Sequence, residues 1–259
     1  MASTAQDRRS AILEEVTRSR VAHITDLTQK FGVSDVSIRR DLARLDRLGL
    51  LKRVHGGAVA RPGVIQDAPN ALKSPAHAAE KERIGHAAAA MIKEGDRLIF
   101  DSGTTVLQVA RCIEGELLTS GNLTAITCSL PVVHELGPWK NVHMLMLGGI
   151  YLPEYQTVVG PQAIQNLNGL HADKMFLGTD GLTASHGVTT ANVLEAELDR
   201  AMVRAASQVI VVADSSKIGV IGLTTIMSLK EINVLVTDKG APKEFLAQLR
   251  ESGVEVLIA

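Results

Sequence analysis

Leu98-Ile99-Phe100-Asp101-Ser102-Gly103-Thr104-Thr105 runs from a short apolar stretch into a polar loop with one glycine, then into a helix expected from residue 104. The pairing recurs along the chain, where Cys128-Ser129, Gly148-Gly149, Gly178-Thr179-Asp180-Gly181 and Asp214-Ser215-Ser216-Lys217 each follow an apolar run. Strands are therefore expected at 97–100, 123–127, 142–147, 174–177, 208–213 and 234–236. Helices are expected from 80 to about 93, from 104, from 131 and at about 193–206. Such alternation gives an α/β fold with a mainly parallel sheet covered by helices. In sheets of this kind ligands sit beyond the carboxyl ends of the strands.

Those ends supply one coherent set of groups. Gly103 permits close backbone approach, and Ser102, Thr104 and Thr105 bring hydroxyls and amides to a helix N-terminus, which favours an anion. Lys217 can neutralise a phosphate, and carboxylates such as Asp101 can accept hydrogen bonds from sugar hydroxyls. Plainer readings exist for each piece. Residues 101–105 also describe a capped helix start, Gly148-Gly149 and Asp180 also describe turns, and Lys217 also suits a surface. Recurrence after successive strands favours a sugar-phosphate pocket.

The first part of the chain differs in charge and in periodicity. Residues 1–61 hold twelve Lys and Arg against seven Asp and Glu, although the whole chain of 259 residues carries a net charge of −1. A polyanion is thus attracted to one end of the chain only. Helices are expected at about 6–19, where Ile12, Leu13 and Val16 form an apolar stripe, and at about 23–30, where Ile24, Leu27 and Phe31 do. Gly32 suits a helix C-cap, and Ser34 suits the cap of a third helix with Ile38, Leu42, Leu45 and Leu48 on its packed face. Ser37, Arg40, Arg44 and Arg47 share an adjacent, basic face. Residues 50–58 read as a two-stranded wing with a tip at Gly56-Gly57 and with Lys52, Arg53 and His55 in reach of phosphates. A short helix, a glycine turn and an arginine-bearing helix is the arrangement that enters a major groove. The pattern alone also fits, as the lesser alternative, a three-helix protein-interaction module with an ordinary charged face.

Residues 59–79 contain Pro62, Gly63, Pro69, Ser74 and Pro75 without periodicity. The domains are accordingly 1–60, a linker at 61–79 that is either flexible or an ordered hinge, and 80–259. The two cysteines and eight histidines show no metal-ligand spacing, so no metal is expected, and without a Walker A or G-x-G-x-x-G sequence no nucleotide cofactor is expected either. No apolar run is long enough to span a bilayer and the first ten residues lack the apolar stretch of a secretion signal, so a cytoplasmic location is expected.

Phe31-Gly32-Val33-Ser34, Ile38-Arg39-Arg40-Asp41-Leu42 and His55-Gly56-Gly57-Ala58 closely resemble the winged helix-turn-helix of the DeoR family of transcriptional regulators. The resemblance implies Ser37, Arg39, Arg40, Arg44, Lys52, Arg53, His55 and Gly56 as DNA contacts, with Asp41 orienting a neighbouring arginine. The marks at 101–105, Ser129, Gly148-Gly149, Val159-Gly160, Asp173-Lys174, Asp180-Gly181, 187–190, 195–197 and 214–217 resemble the same family's sensor domain, similar in fold to ribose-5-phosphate isomerase. By that resemblance the effector set is Asp101, Ser102, Gly103, Thr104, Thr105, Cys128, Ser129, Gly148, Gly149, Asp180, Gly181, Thr189, Glu195 and Lys217. Cys128 stands where such regulators commonly carry Asn, which points to a different effector.

The function implied is a repressor of a sugar or polyol operon, a homodimer or homotetramer on operator DNA, controlled by a phosphorylated sugar or polyol. Two rivals stand beside it. One is a sugar-phosphate isomerase with a fused head, using Asp180, Glu195 and Lys217 for proton transfer. The other is a protein-interaction adaptor.

Overall fold

A computed structural model describes residues 5–19, 21–47, 50–54, 56–60, 77–120 and 122–259, and the chain divides into two compact units, 1–76 and 77–259. Leu48, His55 and residues 61–76 of the expected linker lie outside the described residues.

In the first unit α1 (Ala5–Ser19), β1 (Val21–His23), α2 (Ile24–Phe31), α3 (Asp35–Arg47), β2 (Leu51–Val54) and β3 (Gly57–Ala60) follow in order. Ile12, Val16, Leu27, Ile38, Leu42 and Leu45, the positions that the helical period selects, meet in one core. Gly32 ends α2 at φ 62°, a conformation that glycine adopts without a Cβ clash, and its N–H donates to the Thr28 carbonyl at 2.9 Å. The Ser34 hydroxyl accepts from the Ser37 N–H at 3.4 Å at the start of α3. The wing differs from expectation, because β3 pairs antiparallel with both β2 and β1 and the sheet has three strands. Val21-Ala22-His23 is too short for its alternation to register as a period.

The second unit is built on seven parallel strands. These are β4 (Arg97–Phe100), β5 (Thr124–Thr127), β6 (His143–Met146), β9 (Ala172–Leu177), β12 (Ala206–Val212), β14 (Val234–Thr237) and β15 (Glu255–Ile258). They lie in the order β15-β14-β12-β9-β4-β5-β6. Alternation along each strand sends Leu98, Phe100, Phe176, Ile210 and Val236 to one face, and Ile99, Met175, Leu177, Val211 and Leu235 to the other. The first face packs on α4 (Ala78–Ala89), α5 (Thr104–Arg111), α6 (Gly115–Ser120) and α7 (Leu130–Leu136). The second packs on α8 (Pro161–Asn166), α9 (Val193–Ala205) and α10 (Lys243–Glu251). Phe100 and Phe176, cross-strand partners, stack with ring centroids 5.3 Å apart, worth about 0.5–1.5 kcal/mol beyond their buried area.

Two small antiparallel sheets were not legible in the sequence. β7 (Ile150–Leu152) and β8 (Thr157–Val159) form a hairpin, and β10 (Gly181–Thr183), β11 (Gly187–Thr190) and β13 (Thr224–Met227) form a three-stranded sheet. Each strand has only three or four residues.

Ion pairs fix the start of the β4–β9 pair. Arg97 reaches both oxygens of Asp173, at 2.7 and 3.0 Å, and holds its carboxyl at about 2. Lys174 bonds Asp96 at 2.6 Å with both side chains largely buried. Replacing Lys174 with Ala strands the Asp96 carboxylate in that environment, and urea unfolding should show a loss of about 3 kcal/mol or more. Retained stability would mean that water reaches Asp96 freely.

Candidate functional site

On the first unit, α3 presents Arg39, Arg40, Arg44 and Arg47 to solvent, and β2 presents Lys52 and Arg53. Ser37 is half-buried beside Ser34, with the two hydroxyls 3.1 Å apart, and Gly56 is exposed at the wing tip. His55 lies outside the described residues. Arg39 bonds Asp35 one turn back at 3.0 Å, which leaves it a weaker candidate for a base than Arg40 or Arg44. Asp41 is buried, and its partner is not on its own helix. Arg8 of α1 donates to it at 2.7 Å, and Arg9 lies 3.9 Å away. The carboxylate is thereby buried in the first unit and fixes the arginine-bearing helix to α1. No spacing rule links positions 33 residues apart.

On the second unit, strand order reverses between β4 and β9, since the chain runs from β4 outward to β6 and then returns to the other side of β4. The loops after these two strands therefore diverge and leave a crevice. Asp101 follows Phe100 and so points to the α9 face, as does Cys128 one strand over. Asp101 accepts from the N–H groups of Ser102 at 2.5 Å and Gly178 at 3.0 Å, which ties the two loops together. Gly103 precedes α5 at φ 105°, followed by half-buried Thr104 and buried Thr105. The first amides of α5 have no carbonyl partner within the helix.

Asp180 accepts from the Thr190 hydroxyl at 3.0 Å and the Ala191 N–H at 3.1 Å. Asn192 caps α9 by accepting from Leu194 and Glu195 N–H, at 2.9 and 3.3 Å. That cap aims Glu195 inward, where the Ser102 hydroxyl meets it at 3.4 Å. Lys217 closes a 3-10 turn, Ser215–Lys217, whose next residue, Ile218, bridges Leu182 on β10. The turn is therefore held to the sheet that carries Gly181.

Other residues expected in the set have different surroundings. Gly148 and Gly149 follow β6, the edge strand two places from β4, and lead into the hairpin. The Gly148 N–H donates to Asn166 at 3.0 Å. The Thr189 hydroxyl is taken up by the Gly181 carbonyl and the Gly222 N–H, both at 2.8 Å, and Thr179 bonds within the same turn. Ser129 is buried at the start of α7, where β8 bridges it through Thr157. Gly181 serves close packing, because a Cβ there would overlap the Val220 carbonyl oxygen.

Asp199 completes the cluster, and it was absent from the expected set. One turn after Glu195, it shares the buried face of α9 with Leu198 and Met202. A carboxylate in register with an apolar stripe was the signal available. Burial foremost, against the amide donors, raises Asp101 to about 6. Burial, then the charges of Asp101, Glu195 and Asp180, push Asp199 well above the carboxylate range. Burial likewise pushes the Cys128 thiol well up, so it is a thiol and no thiolate nucleophile. Among the described residues no group of His, Cys, Asp and Glu is placed to hold a metal ion.

The family model of the DeoR-like helix-turn-helix domain matches residues 8–61, and that of the DeoR C terminal sensor domain matches residues 76–239. A putative aga operon transcriptional repressor of Escherichia coli O157:H7 is 35% identical over 97% of this chain and 93% of its own. The transcriptional repressor AccR of Agrobacterium fabrum is 36% identical over 92% of this chain and 91% of its own. Among solved structures, ribose 5-phosphate isomerase A of Methanocaldococcus jannaschii matches 55% of each chain at 13% identity and a TM-score of 0.42.

The chain belongs to the DeoR family of DNA-binding transcriptional regulators. That membership sets aside both the isomerase and the adaptor, and it makes the basic head a DNA-reading unit and the second unit a sensor domain.

Gly181→Ala should lower the melting temperature of the full chain, at a cost of about 1–3 kcal/mol, by forcing the 218–222 loop off the small sheet. An unchanged melting curve would show that loop to be loosely held.

Proposed function

We propose that the protein represses an operon for uptake or breakdown of a sugar or polyol, and that a phosphorylated form of that compound is its effector. The reading is carried by two anion-seeking surfaces in one chain: exposed arginines on α3 with the wing behind them, and the Asp101–Thr105 loop at the switch point of the sheet. Relatives that bear the word repressor support the sign of regulation. The α5 N-terminus and Lys217 suit the phosphate. Asp101, Asp180 and Glu195 suit sugar hydroxyls, and Asp101 stays off the phosphate because like charges at contact repel.

Arg40, Arg44 and Ser37 read bases in a major groove, whereas Lys52, Arg53, His55 and Gly56 hold phosphates beside it, and Arg39 joins them on releasing Asp35. One winged head makes few base contacts, so a dimer or tetramer on paired half-sites is the working form, in the cytoplasm where chromosomal DNA lies. The effector switches the protein by favouring one of two arrangements by ~1–3 kcal/mol.

Full-length protein, titrated onto duplexes from upstream of its own gene and its neighbours, should bind one of them with an affinity that falls steeply with salt. Arg40→Ala should weaken that binding by ~1–3 kcal/mol. A phosphorylated sugar or polyol that raises the melting temperature should release the duplex, and Thr104→Val and Lys217→Ala should abolish release while sparing DNA binding. Absence of binding to every such duplex at low salt contradicts the reading, and release unaffected in both sensor variants moves the effector elsewhere.

A further inference from the structure

Val36 is 66% exposed, which makes it the most exposed large apolar side chain of the first unit among the described residues. Its rotation on α3 explains why. At about 100° per residue, the buried positions Ile38, Asp41, Leu42 and Leu45 gather on one side of the helix, and Val36 falls almost diametrically opposite them. Arg40 and Arg47 share the exposed arc with it, and Arg39 and Arg44 flank that arc. Core packing therefore does not account for an apolar residue here, and neither does helix propensity, since valine is a poorer helix former than alanine, lysine or arginine. Val36 is also the second residue of α3 (Asp35–Arg47), and a recognition helix brings its N-terminal residues to the base edges.

We propose that Val36 reads the 5-methyl group of a thymine in the operator, which makes it a specificity-determining residue of the DNA-binding head. The proposal rests on α3 lying in the major groove, as read above. A valine side chain has neither donor nor acceptor, so it gains nothing from the polar edges of guanine, adenine or cytosine. The thymine methyl is the apolar group that a base pair presents in that groove. Cytosine in the same place would set its amino group against the valine methyls, losing a hydrogen bond to water without replacement. The cations around Val36 select the partner as well. An apolar surface of another protein would have to bury arginine charges along with the valine, whereas a duplex offers each arginine a phosphate or a guanine. Four residues of helix rise by about 6 Å, so Val36 and Arg40 meet different base pairs. The arginine supplies attraction and a polar contact, and the valine supplies a preference that no charge carries.

The test uses the full-length chain. Duplexes that it selects from a random pool define its operator, and each thymine of the selected sequence is then replaced by deoxyuridine, which lacks only the 5-methyl group. At one thymine in each half-site the exchange should weaken wild-type binding about fourfold, the worth of one buried methyl group. Val36→Ala should bind the unmodified operator more weakly by a similar factor, and the same exchange should then change nothing further. Its melting temperature should hold, because the side chain is exposed and alanine favours the helix. The slope of affinity against salt should hold too, because no cation is removed. A second selection with Val36→Ala should relax the preference at that one position and keep the others. The proposal is overturned if no exchange of thymine for deoxyuridine weakens the wild type, or if Val36→Ala responds to every exchange as the wild type does. In either case selective DNA binding stands and only the role of Val36 falls; a chain that selects no sequence at low salt overturns the operator reading as well.

Discussion

Where β4 lies beside β9, the Asp101 N–H donates to the Phe176 carbonyl at 3.1 Å and the Asp101 carboxylate accepts from the Gly178 N–H at 3.0 Å. These bonds close the pairing of two strands whose onward connections run in opposite directions, and everything in the sensor unit is arranged around that reversal. On one side the chain winds through β5 and β6; on the other it builds β12, β14 and β15. The loops leaving the pair cannot both cross the same edge, so a crevice opens above Asp101 whatever fills it. Phe100 and Phe176 anchor it on the opposite face, and the pairs Arg97–Asp173 and Lys174–Asp96 hold its other end.

The chemistry of the crevice follows from helix geometry as much as from strand order. Asn192 starts α9 at a fixed rotation, and the buried positions on that helix are then determined, Glu195, Leu198, Asp199 and Met202 among them. Two of the four are acids, brought to a third acid that the strand alternation had already turned inward. Such a cluster is costly in isolation. It persists because Asp101 and Asp180 each accept from backbone amides and because burial, which pushes the Asp199 carboxyl well above the ordinary carboxylate range, disfavours its charge. The head follows a parallel rule. Asp41 is buried against Arg8 of α1, so the exposed charges from Arg39 to Arg47 on α3 are arginines.

Much of this was legible in the sequence, for identifiable reasons. The strands at Arg97–Phe100 and Ala172–Leu177 and the helix at Thr104–Arg111 announced themselves because runs of three apolar residues, Leu98–Phe100 and Met175–Leu177, ended at polar loops with glycine. The Asp101–Thr105 loop was found for the same reason. What escaped was either short or distant. The hairpin at 150–159 and the sheet of β10, β11 and β13 use strands of three or four residues, below the length at which alternation rises above chance. The Arg8–Asp41 pair and the Ser102–Glu195 hydrogen bond join side chains 33 and 93 positions apart. Gly148-Gly149 was placed in the expected pocket by its position after a strand, and that this strand lies at the edge of the sheet was not readable from its alternation.

Hydrogen exchange of the full chain, with and without a phosphorylated sugar that raises its melting temperature, tests the placement of the effector most directly. Protection should concentrate in the amides of residues 101–105 and 178–181, on either side of the strand reversal. Protection confined to the edge hairpin at 150–159, with 101–105 unchanged, would contradict it.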